Sequence, residues 1–149
     1  MANPVVLYAT NVYKKNSPVP VWHLGVFVFG FEYSYGPQGV TITNKPDVPL
    51  ETTPMGCTKK TEKSLRTFVL EDLKTKYTAL NYNALTNNCH GFAKEVLTFL
   101  GIGKEIPIKY TELCQAAKDA VGSVGGKVIE TVFASKSVNS NVFPIRKNK

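Results

Sequence analysis

A chain of 149 residues, 43% hydrophobic and 19% charged, has the make-up of one ordinary globular domain that buries a core without metal or disulfide help. Its formal net charge of +7 is unevenly placed, because from Lys127 onward five basic residues stand against Glu130 alone and carry +4 of the total. That leaves a body too weakly basic for nucleic-acid binding. The three cysteines, at 57, 89 and 114, are too few and too scattered for a disulfide framework, and no pair has zinc-site spacing. With two histidines in all, no metal and no cofactor is expected. The N-terminus lacks a signal-peptide pattern and no apolar run approaches a membrane span, so a reducing cytoplasmic setting, extending to the nucleus, is expected.

In chain order, Val5-Val6-Leu7-Tyr8 reads as a first strand. The Pro- and Asn-containing stretch Lys14–Pro20 breaks regular structure. Val21 to Gly30 reads as a strand whose two faces are both apolar, which makes His23 a polar residue in need of a partner. Phe31–Gly36 is the return strand of a hairpin turning at Gly30, and Val40–Thr43 resumes extended structure. Residues 45–61, with three prolines and a glycine, are expected to wander over the surface, with room for one short strand. Cys57 there reads as an inert loop cysteine.

Leu65, Phe68, Val69, Leu73 and Tyr77 form a helical stripe over residues 62–77, with Thr61 as cap. A second stripe runs through Cys89, Phe92, Ala93, Val96, Leu97 and Leu100 and stops at Gly101, with Asn87 or Asn88 as N-cap. Tyr110 to Val121 suggests a third helix, on which Cys114 reads as a small buried hydrophobe. The body is thus residues 1–121. Residues 122–149 form a Gly-, Ser-, Asn- and Lys-rich basic extension that reads as partly mobile, with a stub at Val128–Phe133 able to pack.

One arrangement carries chemistry. A thiol in the first turn of a helix feels the positive end of the dipole, and His23 on a buried strand is the available base. Docked together, Cys89 and His23 rest partly as thiolate and imidazolium, an activated nucleophile for acyl transfer. First-turn amides then face the oxyanion, with Asn88 as a cap and oxyanion candidate. His90, one residue on, lies a rotation of about 100° away from the thiol and reads as a structural neighbour rather than the base. Glu32 and the asparagines are available to orient His23, but nothing in the sequence assigns one.

Four motifs in order resemble the PPPDE family: Val21-Trp22-His23-Leu24-Gly25-Val26, Gly30-Phe31-Glu32-Tyr33-Ser34-Tyr35-Gly36, Tyr82-Asn83 through Asn88-Cys89 and Phe92, and Gly103-Lys104-Glu105-Ile106-Pro107. These are the desumoylating isopeptidases, permuted relatives of papain-like cysteine peptidases in which the histidine precedes the cysteine. The resemblance implies an α+β, permuted papain-like fold with a small antiparallel sheet packed against helices. It also implies His23 and Cys89 as the catalytic pair of a cysteine peptidase, and cleavage after the C-terminal Gly-Gly of ubiquitin or a ubiquitin-like modifier such as SUMO. Such an enzyme's partners are the modifier and its conjugates, and a homodimer is compatible with the family. Trp22, Tyr33, Tyr35 and Tyr82 are available to wall a narrow groove, although each also suits the core. Where the family usually reads Asn-Cys-Asn, this chain has His90 in the last place. Two alternatives stay open: a thioesterase (protein S-depalmitoylase) or acyltransferase using the same pair, and a binding module for a ubiquitin-like protein without turnover.

Overall fold

The computed structural model describes residues 2–11, 22–84 and 86–112. Five strands, β1 (Asn3–Asn11), β2 (Trp22–Val28), β3 (Phe31–Gly36), β4 (Gly39–Thr43) and β5 (Glu51–Thr58), form one antiparallel sheet in the order β4-β3-β2-β1-β5. The registers Leu7↔Val26, Ala9↔Leu24 and Val26↔Tyr33 put the alternate apolar residues of three strands on one face. Val5, Leu7, Ala9, Leu24, Val26, Val28, Tyr33 and Tyr35 are all buried there.

Two helices cover that face. α1 (Glu62–Thr67) starts on a reciprocal cap in which Thr61 and Ser64 bond each other's backbone amides. The stripe expected over 62–77 is present, but its second half is wound more loosely. Phe68–Leu73 is π-helical, and the Lys74 amide donates to Val69 O at 2.8 Å. Leu65, Val69 and Leu73 still reach the core. α2 (Cys89–Phe99) buries Phe92, Ala93, Val96 and Leu97, the stripe read from its sequence. This is the α+β arrangement of a small antiparallel sheet packed on helices.

The hairpin between β2 and β3 turns on Phe29 (φ 59°) and Gly30 (φ 81°). Two successive positive φ values match the right-handed twist of the flanking strands, and Gly30 meets this requirement without steric cost.

The stretch 45–61 differs from expectation. Rather than wandering, it supplies the eight-residue β5, which closes the free edge of β1 from Asn3↔Thr58 to Ala9↔Glu51. Only Met55 and Thr58 of this strand are buried, so no apolar alternation announces it. Pairing satisfies β1's otherwise open backbone groups, and Pro54 is tolerable because the strand is at the sheet edge. Of the proposed third helix, the described residues include a 3₁₀ turn at Ile108–Tyr110, with Tyr110 buried. The rest of it, Cys114, the Lys14–Pro20 break and residues 122–149 lie outside the described residues. Among the described residues no helix is long and apolar enough to cross a membrane.

Phe92 is the residue that ties α2 to the sheet, packing on Tyr35 and Tyr77 with no exposed surface. Phe92→Ala is therefore expected to lower stability by about 3–5 kcal/mol in urea denaturation. A loss below ~1 kcal/mol would contradict this packing.

Candidate active site

The site begins with how α2 starts. Asn88 has extended backbone, and its side-chain oxygen accepts from the amides of His90 (3.1 Å) and Gly91 (3.2 Å). The Asn88 carbonyl accepts from Phe92 at 3.2 Å, and its side-chain amide donates to Ala84 O at 2.8 Å. Asn88 is thus the cap, with both ends of its side chain committed, and among the amides of the first turn the one it does not take is that of Cys89 itself. Asn87, the other cap candidate, instead bonds Lys76 O, Asn81 O and the Tyr35 hydroxyl and so fixes the approach to the helix.

Cys89 is the first residue of α2 and is buried. Its sulfur accepts from the Leu24 amide at 3.5 Å. The pairing of β2 with β3 ends at Gly25↔Ser34, one residue short of Leu24. The sulfur therefore stands where a continued β3 would offer a carbonyl. Sequence reasoning missed this backbone donor, since no residue type marks an amide left open by a diverging strand.

Two imidazoles, His23 from β2 and His90 from α2, influence the ionisation of that sulfur. Burial pushes the thiol up, but the charge of His90, hydrogen bonding to His23 and His90, and the charge of His23 outweigh it and hold Cys89 well below the ordinary thiol value. For His23, burial acts downward, while hydrogen bonding to Cys89, the thiolate's charge and the Glu32 carboxylate act upward; the net direction is up. A thiol held low beside a histidine held high is the signature of an ion pair that exchanges protons easily.

His90 influences the sulfur despite its rotation about the helix axis, because side chains lean toward the helix N-terminus. Its Nε2 lies 3.3 Å from Trp22 O, so the ring also bridges α2 to the start of β2. A carbonyl only accepts, which puts a proton on Nε2.

The four aromatic residues divide. Tyr33 and Tyr35 are fully buried and belong to the core, where the parity of β3 points them, so they do not wall a groove. Trp22, edge-on to Tyr110 at 5.0 Å, and Tyr82, tilted against Tyr35 at 5.5 Å, are half-buried and remain near the surface. Among the described residues no cluster of three metal-ligating side chains occurs.

The family model described as "PPPDE putative peptidase domain" matches residues 6–125. The chain belongs to the PPPDE peptidase family. Desumoylating isopeptidase 1 of Xenopus laevis is 31% identical over 100 residues, which cover 62% of this chain and 57% of the relative. Desumoylating isopeptidase 1 of Homo sapiens is 28% identical over 100 residues with the same coverage. The chain thus matches less than two thirds of the length of either relative. The matched PPPDE region includes both His23 and Cys89.

The electrostatics can be checked without a substrate. In a chain with Cys57 and Cys114 changed to serine, Cys89 is expected to react with iodoacetamide at pH 6 about tenfold or more faster than free cysteine. His90→Asn removes an imidazole that favours the thiolate and should raise the inflection of the rate profile by about one pH unit. An inflection at the ordinary thiol value in the parent chain would contradict the low Cys89 pKa.

Proposed function

We propose that this PPPDE peptidase is a cysteine isopeptidase that removes ubiquitin-like modifiers, SUMO being the one named by its relatives, from conjugated proteins. The observation that carries the reading is the Cys89 sulfur at the start of α2, which accepts from the Leu24 amide and whose ionisation His23 and His90 favour. The thiolate attacks the carbonyl carbon of the modifier's last glycine. The developing oxyanion takes the Cys89 amide, the first-turn donor that the Asn88 cap leaves available. The C–N bond breaks as the His23 imidazolium gives its proton to the leaving lysine amine, and a thioester remains on Cys89. Neutral His23 then takes a proton from water as it attacks the thioester. The products are the modifier's free carboxylate and the restored thiolate–imidazolium pair.

The pH dependence follows from the two shifts. The competent form needs Cys89 deprotonated and His23 protonated, so activity rises through the Cys89 pKa and falls through the His23 pKa. With the first lowered and the second raised, the plateau extends to lower pH than an ordinary thiol allows and beyond the ordinary histidine value on the alkaline side.

SUMO and ubiquitin carrying a C-terminal electrophile are expected to label the parent chain on Cys89. Cys89→Ala abolishes labelling, and His23→Ala lowers isopeptide hydrolysis by about 100-fold or more. Labelling that survives Cys89→Ala, or hydrolysis confined to acyl thioesters, overturns the isopeptidase reading.

A further inference from the structure

β2 has a glycine at mid-strand with ordinary extended backbone, so any residue could hold the conformation. What Gly25 lacks is room. A Cβ at this position would lie 2.1 Å from Glu32 Oε2, 2.7 Å from its Cδ and 2.8 Å from its Cγ. The Glu32 carboxyl group is laid directly on the Gly25 backbone.

The register shows which way the side chain runs. Glu32 lies opposite Phe27, whose ring stacks on Tyr8 at 4.9 Å. From there the Glu32 side chain leans diagonally back along the strand to Gly25. His23 is the next residue of β2 on that same face, about 7 Å along the strand. Strand β2 thus presents a basic side chain and, beside it, a notch filled by an acidic one.

We infer that Glu32, seated in the Gly25 notch, is the positioning residue that sustains the charge on the His23 imidazolium. This rests on the Cys–His reading above and deepens it. Glu32 acts through space on the face of the sheet, and Gly25 is the space it needs. His23 feels Cys89 and His90 of α2 and Glu32 of β3, with His90 acting downward; Glu32 feels His23 of β2 and Asp47 of the connection between β4 and β5. Burial raises the carboxyl's pKa, the His23 cation pulls it down, and Asp47 adds a further upward push. Above that raised value the carboxylate favours the protonated imidazole, so its removal lowers the His23 pKa.

The test needs no substrate. The ring signals of the chain's two histidines are assigned with His90→Asn and titrated by NMR in the parent, Glu32→Gln, Gly25→Ala and Cys89→Ala chains. Glu32→Gln is expected to lower the His23 pKa by about one unit. Gly25→Ala, which displaces the flexible carboxyl group while leaving it in the chain, should lower it in the same direction. A merely structural role for Glu32 would not move this titration in chains that retain the parent's melting profile. If Cys89→Ala lowers the His23 pKa while Glu32→Gln and Gly25→Ala leave it in place, the inference is overturned and the Cys–His reading stands. If Cys89→Ala leaves it unchanged, the Cys–His reading is overturned and the inference with it.

Discussion

The site depends on the place where β2 and β3 part. As long as two strands stay paired, their backbone amides are spent on each other. One residue beyond Gly25↔Ser34, the Leu24 amide is released from that obligation and bonds the Cys89 sulfur instead. A thiolate is a good acceptor and a thiol a poor one, so this contact favours the charged form. The same junction sets the depth of α2. The helix must place Phe92 and Val96 on the core while its first residue meets the strand end, and the core's close packing leaves little freedom to do one without the other. The position of the Cys89 sulfur and the stability of the fold are therefore the same constraint, seen from either end of α2's first turn.

A buried cysteine in an apolar setting would ordinarily be an inert thiol. Here burial is the largest influence on Cys89 and acts against ionisation, yet the net direction is strongly the other way. Each pKa unit is about 1.4 kcal/mol, so several modest favourable contacts must combine to reverse the burial effect. The two imidazoles supply them, and the Leu24 amide and the helix start act in the same direction. Asn88 completes the arrangement indirectly. By taking the His90 and Gly91 amides it caps the first turn and leaves the Cys89 amide outside its own hydrogen bonds.

Much of this was legible in the sequence because periodicity reports burial. The α2 stripe, the Asn cap, the hairpin at Gly30 and the Thr61 cap all follow from local rules, and each has a short-range physical cause. What was not legible depends on pairing at a distance. β5 has almost no apolar signature because its role is to satisfy β1's edge. Tyr33 and Tyr35 are indistinguishable from groove residues until β3's parity is fixed by its partner Val26. The contact of His90 with Trp22 O likewise depends on how α2 meets β2 and has no local sequence mark. Gly25 did carry a signal, since a lone glycine in a strand of large residues marks close approach of another group. The identity of that group, Glu32, required the register.

The leaving group gives these charges their purpose. Attack by a thiolate on an amide produces an intermediate that can expel either the sulfur or the nitrogen, and an unprotonated amine is much the worse leaving group. Isopeptide cleavage therefore needs a proton donor that is still charged after the thiol has ionised. In a thioester the departing group is itself a thiolate, for which no donor is required. An imidazolium sustained from two sides, by the Cys89 thiolate and by Glu32 in its notch, suits the first chemistry and is superfluous for the second.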